Sequence, residues 1–193
     1  MWPWFASPDG HTLLYEESGR SGNYSGWKLP LEGPPIPGHL APRDFDQEWV
    51  QISPDGRWLA YNSDDSGRQE VYVTPFPALD SNVKVSAAGG RYPQWSPNGR
   101  ELYYLENDAA DNQPVSRRMK LMAVPLETSP QLKAGTPQML FAGPFIAARR
   151  DYAVTPDGKG FIFIRESQPG SGPGEMKVVL GWDNELKRRL PVN

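Results

Sequence analysis

The segment SPDGRWLAY, residues 53–61, decides the expected fold because its first four residues recur along the chain. Related segments are SPDG at 7–10, SPNG at 96–99 and TPDG at 155–158. Their prolines are at positions 8, 54, 97 and 156, so consecutive copies are 46, 43 and 59 residues apart. A period of about 40 to 45 residues is typical of proteins built from repeated four-stranded units.

Each copy has the composition of a tight turn between two strands. Proline sets the backbone angle φ to about −65°, the Asp or Asn side chain bonds to nearby backbone, and glycine adopts the left-handed conformation that closes the turn. Large apolar residues stand five and seven positions after each proline: Leu13 and Tyr15, Leu59 and Tyr61, Leu102 and Tyr104, Phe161 and Phe163. This alternation predicts a half-buried strand after every turn.

The pattern predicts strands at 2–6, 11–16, 26–31 and 35–38, then at 48–53, 57–62, 70–75 and 83–86, then at 92–96, 101–105, 119–125 and 138–142, and finally at 151–155, 160–165 and 176–182. We call the four units blades: 1–44, 45–88, 89–147 and 148–193, the last without its outer strand. Polar segments at 106–118 and 127–137 are predicted surface loops of the long third unit. The expected fold is all-β, a single β-propeller array over residues 1–193 with four blade-like antiparallel sheets in an incomplete ring.

Composition agrees with a packed β protein. The 193 residues include 7 Trp, 8 Tyr and 7 Phe, and the 21 Pro and 19 Gly fit many tight turns. The net charge of −3 argues against a nucleic-acid partner, which requires a basic surface. Without cysteine the chain has no disulfide and no thiolate metal site, and no apolar run is long enough to predict membrane insertion.

Residues 51–77, QISPDGRWLAYNSDDSGRQEVYVTPFP, resemble the PD40 or WD40-like repeats of TolB-type β-propellers. Further along, GGRYPQW (89–95), ELYYL (101–105), LMAV (121–124), YAVT (152–155) and VVLGW (178–182) resemble the C-terminal propeller half that follows many bacterial Ser/Thr protein kinase domains. The resemblance implies a fragment of a larger TolB-like or kinase-linked protein on the extracytoplasmic side of a bacterial membrane. Its expected partners are a protein or peptide, or the missing blades of the parent propeller. The chain itself has no targeting signal to fix the compartment.

The motifs of common enzyme classes are missing. The only histidines are His11 and His39, and neither stands in an H-R-D motif, so any kinase activity of the parent lies outside this chain. G-x-S-x-G and H-E-x-x-H are also absent, and the segment 64–67 lacks the ligand spacing of a calcium loop. We therefore predict a non-catalytic module with no catalytic residue, cofactor or metal. Two alternatives stay open: a propeller enzyme with paired carboxylates in its central funnel, and the propeller lid of a separate hydrolase domain.

The loops that precede inner strands are the predicted partner-facing positions, since propellers commonly bind there. The candidate residues are Asp44, Phe45, Asp46, Arg91, Tyr92, Arg149, Arg150 and Asp151. The competing interpretation is that these are ordinary solvated loop residues. Tryptophans at strand positions are instead predicted to fill the space between blades: Trp4, Trp49, Trp58, Trp95 and Trp182.

Overall fold

The computed structural model describes residues 2–18, 24–40, 47–107, 118–129, 131–143, 152–163 and 177–179. Over these residues the chain forms antiparallel sheets and no helix. Accordingly, this part of the chain contains no apolar helix that could cross a bilayer.

Four sheets follow one another along the chain, and the first three strands of each form an antiparallel meander. The first contains β1 (Trp2–Ala6), β2 (Thr12–Ser18), β3 (Tyr24–Pro30) and β4 (Gly38–His39), and the second contains β5 (Gln47–Ile52), β6 (Trp58–Ser63), β7 (Glu70–Pro75) and β8 (Val83–Lys84). The third contains β9 (Arg91–Trp95), β10 (Glu101–Asn107), β11 (Met119–Glu127), β12 (Lys133–Ala134) and β13 (Gln138–Gly143), and the fourth contains β14 (Tyr152–Val154), β15 (Phe161–Phe163) and β16 (Lys177–Val179). Every predicted strand is present, and the ends that lie within the described ranges differ from the prediction by three residues or fewer.

The loop predictions for the third sheet are wrong at two places. Glu106 and Asn107 belong to β10, where Glu106 is buried and its Oε1 lies 3.5 Å from Lys120 Nζ. The short strand β12 lies inside the polar segment 127–137 and pairs with the end of β11. A polar composition alone therefore does not distinguish a loop from a paired strand in these two segments. The remaining insertion, 108–117, and the expected end of the last blade, 180–193, lie outside the described residues.

The repeated turn has the same hydrogen bonds in all four copies. In the second blade, Gly56 N–H donates to Ser53 O at 2.9 Å and Trp58 N–H donates to Ser53 Oγ at 3.0 Å. The Ser53 hydroxyl donates to Asp55 Oδ1 at 2.5 Å, and Arg57 N–H donates to the same oxygen at 3.1 Å. The four turn glycines have φ between 70° and 76°, a conformation that a side chain would strain. Asn98 provides the acceptor oxygen in the third copy. The turn therefore fixes the pairing of the strands on either side.

Successive blades pack through opposite sides of their second strands. On the second strand of each blade, the fifth and seventh residues after the turn proline lie on one side, which we call the entry face. The sixth residue lies on the other side, which we call the exit face. At each junction the exit face of one blade shares an apolar cluster with the entry face of the next: Leu14 with Leu59 and Tyr61, Ala60 with Leu102 and Tyr104, and Tyr103 with Phe161 and Phe163. The core of the chain thus lies between blades rather than inside any single sheet.

The turns of neighbouring blades also lie side by side. A Cβ atom at Gly99 would be 3.7 Å from Pro54 Cδ, and one at Gly158 would be 3.4 Å from Pro97 Cδ. We call this end of the sheets the turn end. The opposite end has the hairpin between β6 and β7 and the link between β8 and β9, and we call it the loop end.

Replacing the turn serine tests whether the repeat stabilises the fold. Ser53→Ala removes the buried hydroxyl that accepts from Trp58 N–H and donates to Asp55. We expect the free energy of unfolding, measured by urea titration, to fall by about 1 to 2 kcal/mol because the part-buried Trp58 N–H loses its acceptor. Ser81→Ala, which removes an exposed hydroxyl outside the turn, should change it little. Equal effects of the two substitutions would contradict this role.

Candidate functional site: a polar cleft at the loop end

A cleft of about 410 Å³ opens at the loop end between the second and third blades. The hairpin after β6, the link before β9 and the end of β10 form its walls. Its side chains are mainly polar, and those used below are Asp64, Arg68, Gln69, Arg91 and Asn107. The cleft is a surface groove made by backbone from two blades, so its shape depends on how those blades are joined.

The buried carboxylate of Glu70 joins the hairpin to the link. Its Oε1 accepts from Arg68 Nε at 2.7 Å, and its Oε2 accepts from the Ser86 hydroxyl and from Gly89 N–H, the latter at 3.1 Å. Lys84 Nζ lies 3.6 Å from Oε1. Burial raises the pKa of Glu70, but the Ser86 hydroxyl, Arg68 and Lys84 outweigh this effect and hold the pKa below its ordinary value of 4.5. Glu70 is therefore ionised at neutral pH and fixes one wall of the cleft.

The floor of the cleft passes close to the core at Gly90. A Cβ atom there would lie 2.8 Å from Tyr104 Cδ2 and 2.9 Å from Val71 Cγ2. Gly90 N–H donates to Gln69 O at 2.9 Å, which attaches the link to the second blade. Only a residue without a side chain fits between the cleft and this cluster.

The two arginines of the cleft differ in how far their charges are neutralised. The Arg68 guanidinium is paired with Glu70, and its Nη2 also donates to Ala87 O at 3.1 Å. Arg91 is exposed, and its guanidinium makes no hydrogen bond or ion pair with the residues that the structure describes. Asp64 adds a carboxylate to the lining. An anionic group that enters the cleft would therefore find its strongest uncompensated attraction at Arg91.

Tyr92, the neighbour of Arg91, is part of the packing between blades. It is 9 % exposed, and its ring lies 5.0 Å from that of Trp49 in an edge-to-face contact. Both residues have a φ of 59° and lie at irregularities in the pairing of their strands, β9 and β5. The Tyr152 hydroxyl donates to Tyr92 O at 2.6 Å, so Tyr92 connects three blades. A partner at the loop end would reach Arg91 rather than Tyr92.

Asn62 connects this packing to the cleft. Its Nδ2 donates to Gln69 Oε1 at 2.6 Å, and its Oδ1 accepts from Tyr92 N–H at 3.3 Å. Asn62 is fully buried at the end of β6. One amide side chain therefore orients a cleft residue and holds the inner strand of the next blade.

Two of the eight candidate residues, Arg91 and Tyr92, lie in the described part of the chain, and of these two Arg91 lies at the surface of this cleft. Asp44, Phe45, Asp46, Arg149, Arg150 and Asp151 lie outside the described residues, and their partner-facing role stays a prediction. Arg68, Gln69 and Asn107 are not among the residues predicted from the sequence. The signal for them is topological: in an antiparallel meander, the hairpin after the second strand and the link to the next blade lie at the same end of the sheet.

Three of the predicted tryptophans, Trp49, Trp58 and Trp95, have described side chains, and these pack at junctions between blades as predicted. Trp95 is buried, and its Nε1 donates to Gln51 O of the preceding blade at 3.2 Å. Trp49 and Trp58 pack against the clusters of the third blade. The side chains of Trp4 and Trp182 lie outside the description. These rings therefore stabilise the array.

The histidines have separate surroundings. His11 Nδ1 lies 3.3 Å from Glu32 Oε1 on the surface, and the His39 ring lies 3.6 Å from the Trp27 ring. Within the described ranges, no group of three His, Cys, Asp or Glu residues could hold a metal ion.

Neither a protein-family model nor a curated protein sequence matches this chain. Solved structures do match: TolB from Acinetobacter baumannii, with a TM-score of 0.66 and 17 % identity over 93 % of this chain and 40 % of that one, and a putative TolB from Agrobacterium tumefaciens, with a TM-score of 0.58 and 20 % identity over 74 % and 50 %. An oligogalacturonate lyase in complex with manganese matches with a TM-score of 0.64 and 18 % identity over 91 % of this chain and 48 % of that one. The fold is a TolB-like β-propeller.

This confirms the predicted fold class. The chain spans between 40 % and 50 % of the length of the three structures, which agrees with an incomplete ring. At identities this low the similarity establishes the fold, and the biochemical role has to be argued from the site.

Two glutamates are buried among the described residues, and each lies beside a cation. Glu70 is paired with Arg68, and Glu106 lies beside Lys120. The inner strands β1, β5, β9 and β14 contain one acidic residue, Glu48, whose side chain is outside the description. The described inner-strand side chains therefore provide no pair of carboxylates for a funnel of the kind the enzyme alternative needs.

Glu70→Gln tests the link between charge and stability at the cleft. Because folding lowers the pKa of Glu70, its stabilising effect is complete above the unfolded value of 4.5 and is lost as pH falls through the lower folded value. We expect the substitution to lower the free energy of unfolding at pH 7 by about 2 kcal/mol, and to weaken the fall in wild-type stability below pH 4.5. Denaturant titrations across the acidic range measure both effects.

Glu127→Gln is the matched control, because Glu127 is exposed on β11. It should leave the pH profile close to that of the wild type. If the profiles of both variants coincide with the wild-type profile, Glu70 does not have the proposed role.

Proposed function

We propose that this chain is a non-catalytic propeller module that binds a protein or peptide at the loop end, with the cleft between the second and third blades as the binding site. The observation that carries this proposal is the exposed Arg91, whose guanidinium has no ion pair among the described residues, beside a groove of about 410 Å³. Arginine is enriched among residues that dominate the binding energy of interfaces, and its planar guanidinium suits a carboxylate.

The construction of the cleft supports recognition. Glu70, Asn62 and Gly90 fix its walls by buried hydrogen bonds and close packing, so little freedom is lost when a partner binds. The exposed groups, Arg91 and Asn107, can then bond to the partner without breaking bonds inside the protein. A peptide with an acidic side chain or a free C-terminal carboxylate provides the matching chemistry.

The wider context that we propose is the C-terminal part of a larger TolB-like or kinase-linked propeller protein. The PD40-like segment at 51–77 and the coverage of about half of each similar structure support this context. In such a protein the remaining blades are further partners of this array.

Arg91→Ala tests the binding role. Synthetic acidic, neutral and basic peptides, each fluorescently labelled, are titrated against the protein and followed by fluorescence anisotropy. We expect the acidic peptides to bind best and the substitution to weaken their binding about tenfold, the usual loss for truncation of a central arginine.

Arg100→Ala is the matched control, because Arg100 is equally exposed but follows the turn at the opposite end of the same blade. Its binding should equal that of the wild type. Equal binding by both variants, or no preference for acidic peptides, would contradict the proposed site. Mass spectrometry of the recovered peptides should find them intact, and turnover by the purified chain would contradict a non-catalytic role.

A further inference from the structure

The entry face of the first blade is less covered at one cross-strand row than the entry faces of the second and third blades, although Tyr15 on the same face is buried. In the second blade, the cross-strand row Ile52, Leu59 and Thr74 is 8 %, 0 % and 1 % exposed beneath the first blade. In the third blade, the row Trp95, Leu102 and Val124 is 6 %, 0 % and 0 % exposed beneath the second. The matching row of the first blade is Ala6, Leu13 and Leu29, in which Ala6 is exposed and both leucines are only half-buried.

The fourth blade has the complementary feature at the other end of the array. Its exit-face residue is Ile162, which pairs with Ala153. The equivalent residues of the three earlier blades, Leu14, Ala60 and Tyr103, are between 0 % and 5 % exposed, since each lies under the next blade. Ile162 is half-buried and Ala153 is exposed.

These two faces are not joined to each other within the described chain. The three apolar clusters join the first blade to the second, the second to the third and the third to the fourth, and none contains residues of both the first and fourth blades. The described array therefore has an entry face at one end and an exit face at the other. These two outer faces have the same repeat positions as the faces that pack together at the three internal junctions.

We propose that a second copy of this chain docks head to tail on the 193-residue chain, with the exit face of its fourth blade against the entry face of the first blade. Two features point to a second copy. The exit face with Ile162 has the same repeat position as the exit faces that cover Leu59 and Leu102 at the internal junctions. In addition, the chain spans about half of the length of the similar propellers. When both ends of each copy dock in this way, no docking face is left open. Two copies with four sheets each then form one closed ring. This inference concerns the 193-residue chain by itself and does not depend on the peptide-binding cleft; in a longer protein the remaining blades would cover the same two faces.

The test measures the mass of the purified 193-residue chain by sedimentation velocity and light scattering over a wide range of concentration. We expect a dimer for the wild type. Leu13→Asp and Ile162→Asp each place a charge on one docking face, and either should weaken dimerisation by at least about a hundredfold because the carboxylate would be buried without a partner. Leu31→Asp and Met139→Asp are the controls, since these side chains are 51 % and 55 % exposed and stand elsewhere, and they should remain dimeric.

Mixing the two interface variants gives a sharper test. Leu13→Asp retains an intact fourth blade and Ile162→Asp an intact first blade, so an equimolar mixture should form a heterodimer through one unaltered contact. Circular dichroism and thermal unfolding show whether each variant is folded, and Leu13→Ser replaces Leu13→Asp if the latter is not. A wild-type chain that is a stable monomer at high micromolar concentration would overturn the proposal and leave these faces to further blades of a longer polypeptide. A dimer that neither interface variant weakens, or a mixture that stays monomeric, would also overturn it.

Discussion

The Ser/Thr-Pro-Asp/Asn-Gly turn is the constraint on which this structure depends. Its serine or threonine oxygen accepts the N–H five residues ahead, as Ser53 Oγ does from Trp58, and this bond fixes the register of the first strand pair in each blade. Register matters because side chains alternate between the two faces of a sheet, and a slip of one residue would exchange them. With the observed register, Leu59 and Tyr61 lie under the preceding blade and Ala60 under the following one.

The same constraint explains why the fold was predictable from the sequence. The turn chemistry is local, and the apolar positions five and seven residues after each proline need only strand periodicity to be interpreted. The prediction was least accurate where long-range contacts decide. The polarity of Glu106 predicts a loop, but Lys120 from the next strand provides a counterion that allows Glu106 to be buried.

The cleft was harder to predict because its parts are distant in sequence. Glu70 bonds to Ser86 and Gly89, which are 16 and 19 residues away, and no spacing rule links them. Tyr92 illustrates a second difficulty. Its position beside Arg91 suggested a shared exposed loop, but a strand irregularity with φ at 59° turns Tyr92 towards Trp49 and leaves Arg91 at the surface. The adjacency of Arg91 and Tyr92 in the sequence does not show that one is exposed and the other is buried.

The position of the cleft within the array separates recognition from ring closure. The second and third blades are the two that have a neighbouring blade on both faces, and the cleft lies between them. Its walls are held by bonds internal to these blades, such as those of Glu70 and Asn62. The incompletely buried rows lie instead on the first and fourth blades, where only one neighbour is present. A partner that covers those outer faces therefore adds buried apolar area to the array without reshaping the groove. The binding surface can be complete even when the ring is not closed.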